Sequence, residues 1–199
     1  MSEVLSAFNE WSTPLVVGLK GNVASANIGE SLEALGVKVH WLSEPALDVK
    51  VLPPAKQYIV VYSHRSVKGV PSLTVHSTGS FHHADIGGSS ETLQLSNPVV
   101  NAEILKRLSK NAPFGFQVTY EATHHGPTDI KGSLCFVELG SSEKEWSDPV
   151  AVQAVALSVK QFLDEPVTQK WTCAIGLGGT HYPDRFTRRT LKEGIAFGH

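Results

Sequence analysis

With 199 residues, 41 % hydrophobic and 18 % charged, the chain has the composition of one globular domain large enough to bury a core, which excludes a disordered chain. A net charge of −2 excludes a protein that grips nucleic acid by general basicity, so any such partner must meet a local patch or one terminus. No apolar run reaches the ~20 residues that span a bilayer, so no membrane partner is expected. Residues 1–11 carry Glu3 and no basic stretch before an apolar core, which argues against a secretory signal. Cys135 and Cys173 each sit in an apolar run, so both are expected in the core of a protein of the reducing cytosol.

Taken in chain order, residues 14–19 read as a buried strand. Ile28, Leu32 and Leu35 then fall at helical spacing, and Gly36 stops that helix as a residue able to adopt a left-handed conformation. Two short strands follow at 37–42 and 58–62, separated by the Pro53-Pro54 turn. From 63 to 96 the periodicity gives way to Gly, Ser, Thr and His, and the stretch reads as a long functional loop. Asn97-Pro98 opens a helix whose buried stripe is Val100, Ile104, Leu105 and Leu108. Phe114, Phe116, Val118 and Tyr120 alternate with polar residues as in a strand, and 134–139 form another. Asp148-Pro149 opens a helix with Val152, Val155, Ala156, Val159, Phe162 and Leu163 on its apolar face, and 171–177 read as a buried strand. Strands alternating with helices imply an α/β fold with a mixed, largely parallel sheet flanked by helices.

Three segments carry chemistry. In Tyr120-Glu121-Ala122-Thr123-His124-His125-Gly126-Pro127 a strand ends at two adjacent histidines, where α/β sheets place their ligands. Imidazole serves there as a proton shuttle or a metal ligand, and Glu121 as a base or as a partner that fixes a histidine tautomer. In Gly176-Leu177-Gly178-Gly179-Thr180-His181-Tyr182 a strand runs out through glycines that admit a close ligand. The third segment joins Ser63-His64-Arg65-Ser66 to Leu73-Thr74-Val75-His76-Ser77-Thr78-Gly79, whose hydroxyls and imidazoles suit a polar pocket wall. His82 and His83 read as solvated and His40 as packed. Ser142 and Glu145 fit a capping box, which accounts for a serine–lysine spacing at Ser141 and Lys144. Arg185, Arg188, Arg189 and Lys192 form a charge cluster that is either a solvated face or a hold for phosphates.

These motifs together resemble the archaeal and plant family of D-aminoacyl-tRNA deacylases. The resemblance is carried by residues 120–128, by Glu138-Leu139-Gly140-Ser141-Ser142 with Glu145-Trp146, by residues 176–182 and by Ala196-Phe197-Gly198-His199. It implies a fold related to peptidyl-tRNA hydrolases and nucleoside phosphorylases, a zinc requirement, and hydrolysis of the ester between a D-amino acid and the terminal ribose of tRNA. The family reads Ser-Arg-His where this chain has Ser63-His64-Arg65. Its archaeal members also continue past the Ala-Phe-Gly-His string, so residues 1–199 are expected to be a single deacylase domain truncated at its C-terminal end.

The mechanism expected from these residues has zinc held by some of His76, His124, His125 and His181. Glu121 acts as base or orienter, and His124 and His125 join it as catalytic groups. Gly178, Gly179 and Thr180 line the pocket for the acceptor end of D-aminoacyl-tRNA, with Arg188 and Arg189 also binding substrate; DNA is not expected as a partner. Two other readings stay open: a non-catalytic domain that binds tRNA or a nucleotide through stacked histidines, and a metal-free hydrolase of the peptidyl-tRNA type.

Overall fold

The computed structural model describes residues 14–43 and 45–199. The reading of residues 1–11 lies outside the described residues. Ten strands appear among them: β1 Leu15–Leu19, β2 Val39–Leu42, β3 Gln57–Ser63, β4 Ser72–His76, β5 Gly79–Ser80, β6 Thr92–Leu93, β7 Gln117–Tyr120, β8 Ser133–Gly140, β9 Thr172–Ala174 and β10 Ile195–Phe197. The helices are α1 Val23–Ala34, α2 Pro98–Asn111, the single turn α3 Glu143–Trp146, α4 Pro149–Asp164 and α5 Asp184–Glu193. Among the described residues no helix is long and apolar enough to cross a membrane.

Local chemistry sets the helix ends. Asn22 caps α1 by accepting from the Ser25 amide, and Asn97 and Asp148 cap α2 and α4, each followed by proline. At the end of α1 Gly36 adopts φ 81°, and the Gly36 and Val37 amides donate back to Glu33 and Leu32. That is a Schellman closure, which favours a residue without a Cβ.

The sheet has the order β2-β1-β3-β8-β4-β7. Strands β2, β1, β3 and β8 run parallel; β4 and β7 are parallel to each other and antiparallel to β8. Helices α1, α2 and α4 pack against one face through Val16, Ile59, Val61, Val75, Val137 and Leu139. The other face presents Val17, Tyr58, Val60, Leu134 and Phe136 to a smaller cluster that includes Ala46, Leu52 and Ile130. Central β8, covered on both sides, is buried from Leu134 to Gly140, which explains its nearly unbroken apolar run.

The structure corrects three sequence expectations. Residues 72–76, read as part of a loop, form buried strand β4. The stretch 171–177 is not a buried strand: only Thr172–Ala174 is extended, pairing with β10 in a separate two-stranded sheet, and Cys173 is exposed. Its apolar letters face a rim rather than the core. Phe114 stands fully exposed ahead of β7 instead of alternating within it. The segment carrying Arg185 to Lys192, to which the sequence assigned no element, is helix α5, whose few apolar residues hide its amphipathic pattern.

Candidate active site

The site lies on the sheet face opposite the three helices, at the seam where β8 meets β4. Side chains alternate along a strand, so Phe136 and Glu138 share a face of β8 while Thr74 and His76 share the matching face of β4. Thr74 is in register with Glu138 and His76 with Phe136. The His76 ring stacks on Phe136 with centroids 5.5 Å apart and planes 18° apart. Because β3 and β4 run in opposite directions, the carboxyl end of β3 supplies His64 from one end of the seam and β4 supplies His76 from the other. Glu138 sits between them. His64 Nδ1 lies 3.5 Å from Glu138 Oε2, and His76 Nε2 lies 3.3 Å from Glu138 Oε1.

The segment after β7 closes the group. Glu121 follows β7 directly, and its Oε2 accepts a hydrogen bond from His181 Nε2 at 2.8 Å. His124 Nε2 is 3.6 Å from the same oxygen, and His125 Nε2 is 3.7 Å from Glu138 Oε1. His125 is held at φ 43°, a left-handed conformation that costs a non-glycine residue about 1–3 kcal/mol. The Ala122 amide donates to the His181 carbonyl at 2.8 Å, tying the glycine turn to this segment. His64 Nε2 contacts the Tyr182 hydroxyl at 2.7 Å, and the Trp146 indole donates to the His64 carbonyl at 3.0 Å.

Two buried carboxylates side by side repel each other, so the imidazoles decide the electrostatics. Burial and Glu138 push the Glu121 carboxyl up, but the His181 hydrogen bond and the adjacent His64 hold it below the usual carboxylate range. Burial likewise opposes ionisation of Glu138, and contacts from His125, His64 and His76 hold it well below that range. Burial disfavours charge on His64, yet Glu121 and Glu138 outweigh it and raise its pKa to about 11. His76 is raised by the same competition. His124 goes the other way, to about 3, through burial and repulsion from His76 and His125.

The donor set fits a metal ion. His76, His124 and His125 each turn Nδ1 to a backbone carbonyl, of Ser77, Ala122 and Gly126, at 3.1, 2.8 and 2.6 Å. A carbonyl only accepts, so Nδ1 carries the hydrogen, and Nε2 is the atom left to bind a proton or a metal, the arrangement that orients metal-binding histidines. Each of those Nε2 atoms faces a carboxylate oxygen, at 3.3, 3.6 and 3.7 Å, an arrangement that a cation shared among them would favour. One ring nitrogen from each of the three lies within 4.8 Å of the others. Glu121, His124 and His181 form a second such group and His64, Glu121 and Glu138 a third. Glu121 Oε1 is buried without a hydrogen-bond partner, because His64 Nδ1, 3.1 Å away, is off line.

His76 and Glu121 also floor a cavity of about 280 Å³. Asn101 and Tyr120 wall it, and Phe81 and Leu177, 58 % and 85 % exposed, stand at its edge.

Of the residues singled out in the sequence, Glu121, His76, His124, His125 and His181 converge. Gly178 and Thr180 line the cavity, whereas Gly179 does not and turns at φ 101°. Arg188 and Arg189 lie outside it on α5, and Arg189 is paired with Glu193 at 2.9 Å. Sequence reasoning gave no role to Glu138 and left His64 as one polar residue of a loop. A lone carboxylate within the apolar run of β8 was the available signal, since a buried charge is rare without partners. His64 enters the cluster while Arg65 stays outside, its guanidinium 4.9 Å from the Trp146 ring. His82 and His83 are exposed, as expected.

The sequence profile of D-aminoacyl-tRNA deacylases matches residues 52–199. The chain belongs to the D-aminoacyl-tRNA deacylase family. A D-aminoacyl-tRNA deacylase of Staphylothermus marinus is 38 % identical over 184 residues, covering 89 % of this chain and 66 % of the relative. One from Methanocorpusculum labreanum is 46 % identical over 149 residues, covering 75 % of this chain and 33 % of the relative. The chain thus spans between a third and about two thirds of these family members' lengths. The crystal structure of a conserved protein of unknown function shares the fold with a TM-score of 0.88 and 26 % identity, covering 94 % of this chain and 75 % of that one. The deacylase profile takes in every residue of the histidine–carboxylate cluster.

Proposed function

We propose that this chain hydrolyses the ester joining a D-amino acid to the terminal ribose of tRNA, with zinc as its metal. The observation that carries this reading is the meeting of imidazoles with the buried carboxylates Glu121 and Glu138, a cluster that opens through His76 and Glu121 onto a cavity of about 280 Å³. His76, His124 and His125 would hold the ion, with His181 and Glu121 beside it. When bound, zinc would supply a Lewis acid for the ester carbonyl and make water acidic enough to ionise near neutral pH.

The remaining work belongs to the protein. Glu121 is kept ionised and lines the cavity, so it serves as base toward the attacking water or orients it. His64, held protonated between Glu121 and Glu138, balances their charge. Glu138 buttresses His76 and His125 from behind. The backbone of Gly178 shapes the wall that receives the acceptor end, and walls that clash with an L side chain would provide chiral selection.

The test is amino-acid release from D-tyrosyl-tRNA and L-tyrosyl-tRNA, each with and without a chelator. Loss of the D ester alone, stopped by the chelator and restored by zinc, is the expected result. Chelator-resistant hydrolysis would remove the metal, and no hydrolysis of either ester would remove the enzyme.

A further inference from the structure

Helix α5 has two faces with different tasks. Its inner face is fixed: Thr187 Oγ1 accepts from the Tyr120 amide at 3.0 Å, and Thr190 Oγ1 donates to the Ile195 carbonyl at 2.6 Å. Phe186 on that side walls the histidine-bearing cavity. The outer face is cationic. Arg185, Arg188 and Lys192 follow i, i+3, i+7 spacing, which puts them on one side of the helix over about 10 Å of its axis. All three are exposed, and among the described residues none has a carboxylate within ion-pair distance. Arg189 alone on this helix is neutralised, by Glu193. The cations border an open cleft of about 500 Å³ distinct from the histidine cavity.

Three uncompensated cations on one rigid helix are out of character for a chain of net charge −2. Their placement is informative, because the helix that carries them also walls the site through Phe186. Exposed Phe81 at the cavity edge offers an aromatic face of the kind on which unpaired bases stack, with Leu177 an exposed apolar neighbour on the same cavity. We propose that Arg185, Arg188 and Lys192 form a phosphate-binding track that holds the acceptor strand of tRNA while its 3′ end enters the cavity. This rests on the deacylase reading for the identity of the partner. The cations contact the polyanion and leave the ester chemistry to the cavity.

The test is binding of deacylated tRNA, followed by fluorescence anisotropy between 50 and 200 mM salt, to the chain and to the variant Arg185→Gln/Arg188→Gln/Lys192→Gln. At a slope of about 0.7 per single-strand phosphate contact, three lost contacts flatten the plot of log affinity against log salt by about two. Affinity at 100 mM salt should fall about tenfold or more. The charge-keeping variant Arg185→Lys/Arg188→Lys should retain the slope, which separates charge from folding. An unchanged slope in the glutamine variant overturns the proposal, as does a chain with no affinity for tRNA. Binding of a polyglutamate peptide in place of tRNA would also overturn it, giving the surface to an acidic protein. Cleavage of D-tyrosyl-adenosine, assayed separately, reports on the cavity alone, so failure there with the slope change intact would sink only the deacylase reading.

Discussion

His76 and Glu138 touch at 3.3 Å although they are not opposite each other: Thr74 is the residue in register with Glu138, so His76 reaches it diagonally across the β4–β8 pair. Glu138 also stands within 3.5 Å of His64 and 3.7 Å of His125. Replacing Glu138 with glutamine keeps the shape and removes the charge. Stability to chemical denaturation should fall by about 3–5 kcal/mol, as when one partner of a buried ion pair is lost. Zinc affinity, measured by competition with a chelator, should drop about 10–100-fold. A glutamine variant matching the parent in both would mean the carboxylate is not what organises these histidines.

Gly140 faces the His64 ring so closely that an added Cβ would lie 2.7 Å from it. Gly140→Ala should therefore displace His64 and cost about 1–3 kcal/mol through overpacking, with deacylation reduced in parallel. Gly21, whose Cβ would meet nothing within 4 Å, supplies the control and should change stability by no more than about 0.5 kcal/mol. Equal melting behaviour of the two variants would show that the His64 ring moves aside freely.

Alanine at His124 should lower kcat/KM for the D ester by about a hundredfold or more and reduce bound zinc, whereas alanine at exposed His83 should alter neither. Zinc content by elemental analysis beside the hydrolysis rate tells the two apart. Full activity in His124→Ala would take this residue out of the centre.

The capping box at α3 gives a dependence on pH away from the histidine–carboxylate cluster. Ser142 Oγ donates to Glu145 Oε2 at 2.7 Å, and the Ser142 amide donates to the same oxygen at 3.0 Å. Burial opposes ionisation, but these bonds outweigh it and lower the Glu145 pKa from its ordinary 4.5. A depressed folded pKa contributes stability above the unfolded value and loses it as pH falls through the folded one. The stability gap between the parent and Glu145→Gln should stay level above pH ~5 and shrink below pH ~4. A gap that widens on acidification would contradict the sign.

The two cysteines should separate under a thiol reagent. Cys135 is fully buried, with burial raising its pKa to about 12, and Cys173 is exposed. One thiol should react in the folded protein and a second only after denaturation. Two fast-reacting thiols would mean that β8 opens locally.

Where sequence and structure agree, the determinants are short-range. Asn97-Pro98, Asp148-Pro149 and Gly36 each act on backbone groups within four residues, so their helices could be read directly. Strand β4 could not, because Ser72, Thr74 and His76 occupy the face that would otherwise be apolar; only Leu73 and Val75 signal the core. Function there replaced the alternation that reveals a strand. Helix α5 was obscured for a similar reason, since its outer face is given to cations. The histidines were visible as reactive letters, but their convergence depended on the reversal of direction between β8 and β4, which no local pattern records. Glu138 was masked by the apolar run around it.

That reversal bears on how the protein can be divided. The His64–Tyr182 contact joins positions 118 residues apart, with His76, Glu121, His124, His125 and Glu138 lying between them in the chain. No fragment shorter than that span holds all the reactive groups, so a proteolytic or recombinant cut within it could preserve helices and still destroy the centre. The opposed strands make the site a property of the assembled sheet, which cannot be inherited by a transplanted loop.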